Sequence, residues 1–157
     1  MASVTSVLPY RLGVGMMILN SQNQVFVGKR PDFPDGWQMP QGGMEESESP
    51  QEAMYRELKE EIGTDKVHIL SETSQWLSYD FPPPLRSEIW GGKFQGQRQK
   101  WFLLRFLGED GEIQIQTATP EFIEWRWVMP QDLESLVVGF KKEIYRNLLR
   151  EFSSFLF

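Results

Sequence analysis

Residues 41–64, QGGMEESESPQEAMYRELKEEIGT, constrain this chain more than any other stretch, because a glycine turn, a capped helix and a dense set of carboxylates follow one another without a break. Ser49, Pro50 and Glu52 mark a helix start. The serine hydroxyl accepts an otherwise orphaned backbone N–H, proline suits the first helical position, and Glu52 reaches back to complete the box. Gly63 supplies the stop. On a helix turning about 100° per residue, Met54, Tyr55, Leu58 and Ile62 form an apolar stripe, with Glu57, Glu60 and Glu61 in the sector beside it. One face therefore packs while its neighbour presents three carboxylates.

Crowded like charges repel unless something offsets them, and a hard divalent cation with oxygen ligands turns that repulsion into a binding site. Mg²⁺ is the natural candidate, with Mn²⁺ not distinguished from it. Arg56 stands four residues from both Glu52 and Glu60, a spacing that suits a brace for carboxylate geometry. Charge alone leaves a second reading open, a solvated acidic helix held by such pairs.

The pattern is more specific than charge. Gly42, then Glu48, then Arg56, Glu57, Leu58, Lys59, Glu60, Glu61, Ile62 and Gly63 at these separations resemble the signature of the Nudix hydrolases. One position departs: Thr64 stands where the signature has an aliphatic residue, which concerns the helix exit and leaves the carboxylates in place.

At 157 residues, 40% hydrophobic and 24% charged, the chain reads as one domain, residues 1–157, with a substantial core and a short loose arm at 1–9. Without cysteine it has neither disulfides nor thiolate-bound metal. The apolar run at 14–19 is too short and too interrupted by glycine for a signal peptide or a membrane span, and a cytoplasmic enzyme is compatible with this. A net charge of −6 argues against sequence-blind binding of DNA or other nucleic acid, so a polyanionic substrate must be held by the metal and a few local cations.

Residues 14–19 and 24–29 predict a hairpin closed by Lys29 and Arg30, followed by a loop over 31–36. After the central helix, 67–73 and 75–80 read as strands, with His68 on the surface. Residues 81–96, with three consecutive prolines and Gly91-Gly92, read as an irregular loop long enough to be functional; the glycine pair suits a plain turn or an approach to phosphate. Residues 98–107 predict a central strand buried on both sides, 109–112 a turn, and 122–128 a further strand. Pro130 opens a short helical turn, and Ile144, Leu148, Leu149, Phe152 and Phe155 recur at helical spacing across a core-packed helix at 140–155. Together these elements predict an α/β fold, an α/β/α sandwich around a mixed sheet.

Beyond the signature, Tyr10-Arg11 and residues 37–43, 53–58, 76–82, 97–102, 120–122 and 125–127 resemble one Nudix branch, that of bacterial RNA pyrophosphohydrolases and plant and α-proteobacterial diadenosine tetraphosphate hydrolases. Leu12 departs from it where proline is common, which bears on the orientation of Arg11. The resemblance implies attack by water on a phosphorus of a nucleoside-linked polyphosphate, with Glu57, Glu60 and Glu61 as metal ligands and catalytic groups alongside Arg56. It makes Glu121 the first choice of general base and Glu60 the second. Arg11 and Arg30 would grip phosphates, guanidinium forks matching phosphate oxygens, with Lys100 a weaker candidate. It also implies that Tyr79 and Phe140 stack a purine and Lys141 reaches a base edge, although both aromatics read equally well as core residues. The expected substrates are a triphosphorylated RNA 5′ end and dinucleoside polyphosphates. A dedicated diadenosine tetraphosphate hydrolase giving ATP and AMP, and a non-catalytic Nudix-like binding module, are the alternatives. Protein partners are not legible.

Overall fold

A computed structural model describes residues 8–31, 33–117 and 120–157, with backbone alone at 33–35. The arm expected at 1–9 therefore lies largely outside the described residues. Among these, one mixed sheet is built on β1 (Tyr10–Leu19) and β7 (Gly96–Phe106), which run parallel in unbroken register from Tyr10 opposite Gly96 to Leu19 opposite Arg105. Long apolar runs suit strands covered on both faces. Side chains of β1 alternate accordingly: Met17 and Leu19 face one core, Val14, Met16 and Ile18 the other.

The hairpin from β1 into β2 (Val25–Arg30) closes on Asn20, whose side-chain oxygen accepts the Gln22 and Gln24 N–H groups at 3.0 and 2.9 Å. The two strands touch only where Leu19 meets Val25, after which β2 diverges to pair with β8 (Glu124–Val128) on one side and β3 (Phe33–Gln38) on the other. The space left beside β1 is taken by β4 (Gln41–Gly43), with Gly13, Val14 and Gly15 opposite Gly43, Gly42 and Gln41. That divergence sets the entry point of helix α1 (Pro50–Ile62).

β3 corrects the expected loop at 31–36. Turn chemistry around Pro34 and Gly36 masked a strand at the sheet edge, the one place where a proline without a ladder donor is tolerated. The strands expected at 67–73 and 75–80 are β5 (Val67–Glu72) and β6 (Leu77–Asp80), both paired with β7, and His68 is exposed. The irregular loop contains a short helix, α2 (Pro83–Arg86), and a single 3₁₀ turn at Trp90–Gly92.

Helix α1 covers one face with Ala53, Met54, Leu58 and Ile62 against Phe26, Phe102 and Leu104. The other face is covered by α3 (Leu133–Leu136), α4 (Lys142–Glu151) and α5 (Ser153–Leu156), where Ile144, Tyr145, Leu148 and Phe152 meet Met17, Val27 and Trp101. This is the α/β/α sandwich. The helix expected at 140–155 is broken: Phe140 sits in a 3₁₀ turn before α4, the chain kinks at Phe152, and Phe155 is 39% exposed and not core. Tyr145 is fully buried and its hydroxyl accepts the Met39 N–H at 2.7 Å, fixing the segment that leads into β4. Among the described residues no helix is long and apolar enough to cross a membrane.

Candidate active site

Helix α1 starts as its sequence demands. The Ser49 hydroxyl accepts the Glu52 N–H at 3.1 Å, the Glu52 carboxylate accepts the Ser49 N–H at 2.9 Å, and Gly63 ends the helix at φ 76°. Glu52 is thereby committed to the cap, so it is not the partner of Arg56 that four-residue spacing suggested. Arg56 instead forks onto Glu48, Nε to Oε2 at 2.7 Å and Nη2 to Oε1 at 2.9 Å. It also reaches Glu57 at 2.9 Å, Glu60 at 3.3 Å and the Gly43 carbonyl at 2.9 Å. The guanidinium locks the helix to β4 and to the loop before it. Its hydrogen bonds hold the Glu48 carboxyl down at about 2, well below the usual carboxylate value.

The three carboxylates of α1 face different surroundings, because their sector is wide enough for its rims to diverge. Glu61 is buried, accepts a hydrogen bond from the Gln41 backbone, and leaves Oε2 with no partner. Burial pushes its carboxyl well above the ordinary value, and the Glu57 and Glu121 charges push it further against an opposing Arg30. Glu57 is raised by burial first, with Arg56 acting against it. Glu60 is 58% exposed and turned to Arg56. Among the described residues no three acidic side chains converge into a metal cage, so Glu60 is not gathered with Glu57 and Glu61 as the sequence suggested.

The site nonetheless fits a divalent cation. Glu57 and Glu61 offer hard oxygen donors, one of them buried without a partner, and Gly42 makes room for them. A Cβ at Gly42 would stand 2.1 Å from the Glu57 carboxylate. We expect Gly42→Ala to displace that carboxylate and lower turnover by about a hundredfold, with a smaller loss of thermal midpoint. Unchanged kinetics would show that Glu57 does not need its present place.

Two adjoining cavities open beside these carboxylates. One, of about 200 Å³, is bordered by Arg11, Arg30, Gln41, Gly42, Gly43, Glu57, Trp90, Gln97 and Glu121. The structure thus brings Arg11, Arg30 and Glu121 together with Glu57. Arg30 pairs with Glu121 at 3.5 Å, and the Arg11 guanidinium lies 4.3 Å from the centre of the Trp90 ring. The second cavity, of about 220 Å³, is lined by Arg30, Gln41, Tyr79, Phe81, Glu88, Ile89, Trp90, Gln97, Phe140 and Lys141. Lys141 is buried and its Nζ donates to Gln38. Lys100 lines neither cavity and faces Glu72 at 3.8 Å, so it is not brought together with Arg11 and Arg30.

Tyr79 and Phe140 do share a cavity, but their rings touch, with centroids 5.9 Å apart and planes at 36°. No base lies between two rings so close. The Tyr79 hydroxyl accepts from Gln41 at 3.2 Å and Gln97 at 2.8 Å, and burial raises its pKa. Behind it Gln99 donates to Gln97 at 3.4 Å and Trp101 to Gln99 at 3.0 Å, a row of buried amides running from the core to the cavity. Sequence reasoning assigned Gln97 and Trp90 no role. Gln97 stands just before the strand read at 98–107, and Trp90 in a loop without periodicity; both are marked only by the resemblance of residues 97–102 and 89–92.

A model of the NUDIX domain matches residues 9–150. The chain belongs to the Nudix family. This Nudix chain is 52% identical over 148 residues, 94% of its length and 90% of the other, to a protein of Rhodospirillum rubrum named RNA pyrophosphohydrolase. Its fold is shared with the E. coli dihydroneopterin triphosphate pyrophosphohydrolase at a TM-score of 0.69, 20% identity and coverage of 91% and 99%. It is shared also with a C. elegans Ap4A hydrolase at a TM-score of 0.65, 21% identity and coverage of 92% and 97%. Nudix hydrolases generally use a divalent metal, in keeping with the oxygen donors on α1.

Proposed function

We propose that this Nudix enzyme removes pyrophosphate from 5′-triphosphorylated RNA, leaving a 5′-monophosphate, and that it also cleaves dinucleoside polyphosphates. The observation that carries this reading is the buried, partnerless Glu61 oxygen beside Glu57 and Glu121, at a cavity that also holds Arg11 and Arg30 and adjoins an aromatic one. The RNA end as substrate comes from the name of the Rhodospirillum rubrum relative.

In this reading Glu57 and Glu61 would hold the metal, with Glu60 the further candidate ligand on the same helix. Mg²⁺ is the proposed ion and Mn²⁺ the substitute. When bound, it neutralises charge on the phosphate chain and on the departing pyrophosphate. Arg11 and Arg30 grip the phosphoryl oxygens and set the chain in line for displacement. Glu121 takes a proton from the attacking water as its oxygen bonds to phosphorus. The bond from that phosphorus to the bridging oxygen breaks, and the pair leaves with pyrophosphate. Arg30, beside Glu121, ties the base to the phosphate it serves.

The dinucleotide reading draws on residues 79–83 and 89–92, which resemble the diadenosine tetraphosphate hydrolases, and on a metal site that sees only phosphate. A binding module without catalysis should have lost at least one of these carboxylates, and Glu57, Glu60 and Glu61 are all present.

A side-by-side assay on triphosphorylated RNA and diadenosine tetraphosphate, with Mg²⁺ or Mn²⁺, tests the proposal. Both should be cleaved and both reactions should stop on chelation. Hydrolysis of free ATP or a sugar nucleotide alone would place the chain in another Nudix branch. Glu121→Gln should slow turnover about 10²–10⁴-fold while substrate still binds. An unchanged rate would pass the base role to Glu60.

A further inference from the structure

Trp90 has no role in the readings above, yet it borders both cavities. Its backbone is left-handed at φ 49°, followed by Gly91 at 65° and Gly92 at 74°. For a bulky aromatic residue that conformation is strained, and strain of this kind persists where surrounding contacts hold it. Burial is not the compensation, because 38% of the residue stays exposed. The indole is held edge-on by Phe81 at 5.4 Å and Phe94 at 5.8 Å, so it stands rigidly at the junction.

A base inserted between two rings needs about 7 Å, twice the contact distance of about 3.5 Å. Tyr79 and Phe140, 5.9 Å apart and inclined, do not offer it. They line the aromatic cavity, and so does Trp90. Arg11 borders the carboxylate cavity but not the aromatic one, while its guanidinium rests 4.3 Å from the indole centre. The indole is thus shared between a cavity that Arg11 borders and one that it does not.

We propose that Trp90 is a specificity-determining residue: the wall on which a substrate nucleobase stacks, and the partition that holds Arg11 ready for the phosphates on its other side. This rests on the polyphosphate-hydrolase reading but is tested by binding rather than turnover. AMP carries a base with one phosphate; inorganic tripolyphosphate carries phosphates without a base. Titrated calorimetrically into the full chain with Mg²⁺, both should bind. Trp90→Ala should weaken AMP by about ten- to a hundredfold and tripolyphosphate at least tenfold less than that. Arg11→Ala should show the reverse order. Trp90→Phe should recover most AMP binding and Trp90→Leu should not, a pair that decides the matter if the alanine variant does not fold. Equal losses of both ligands in Trp90→Ala, undiminished AMP binding, or no AMP binding by the parent would each overturn the proposal. Failure to cleave RNA ends with this pattern intact would overturn only the assigned substrate.

Discussion

Glu61→Gln should lower turnover by roughly a thousandfold, which corresponds to about 4 kcal/mol of lost transition-state stabilisation at a metal site. The same substitution should leave the metal-free protein no less stable, because it removes a buried carboxylate with an unsatisfied oxygen. The pH dependence follows from the direction of its shift. The folded state holds the Glu61 proton more tightly than the unfolded chain does, so the stability this group contributes is present below the ordinary carboxylate value. It is lost as pH rises through the folded value. With chelator present, the parent's thermal midpoint should fall more steeply than the variant's as pH rises above the ordinary carboxylate value, and a divalent metal should flatten the parent's curve. A variant with the parent's turnover in saturating metal would remove Glu61 from the ligand set. Loss of activity and folding together would make the residue structural.

Arg56→Ala is expected to damage both function and stability. It strips the fork from Glu48 and the contacts to Glu57, Glu60 and the Gly43 carbonyl at once. Breaking a paired charge of this kind costs about 3 kcal/mol, the lower end of the range because 26% of the Arg56 side chain reaches water. Turnover should fall about a hundredfold, since Glu57 loses the group that orients it. Arg56→Lys should lie between, as one ammonium cannot fork onto Glu48 and still reach Glu57. Acid stability reports the same contact. Glu48 is depressed to about 2, so its contribution is present above the ordinary carboxylate value and lost as pH falls toward 2. Arg56→Ala should lack that acid-dependent component, and parent-like kinetics and acid unfolding would overturn the bracing role.

The central helix was legible because its signals are local: a cap, a proline, a stop glycine and a periodic stripe all lie within it. Side-chain partners were less so. Four-residue spacing pointed Arg56 at Glu52, but the cap had already claimed that carboxylate, and Glu48 is brought in by a turn that spacing does not describe. The same spacing did find Glu60, which Arg56 reaches at 3.3 Å. β3 was hidden by proline and glycine that ordinarily announce a loop and are harmless on an edge strand. Trp90 lay in a stretch that carried the resemblance but received no role, because no periodicity marks a residue that stands where two cavities meet. The resemblance located Arg11, Arg30, Tyr79 and Phe140 around those cavities, but contact between the last two rings is a property of packing that no motif encodes.

The parallel ladder between residues 10–19 and 96–105 has a consequence for how the enzyme comes into being. Every pair in it is separated by the whole stretch that contains β4, the signature helix and the aromatic loop. Closing so long a loop costs entropy before any contact repays it, so this step sets the pace of folding. A nascent chain that has just completed its acidic helix holds Glu57, Glu60 and Glu61, yet it lacks the strand against which the helix and β1 are assembled. The carboxylate cavity therefore takes shape late, after residue 105 can reach residue 19 and Glu121 has followed.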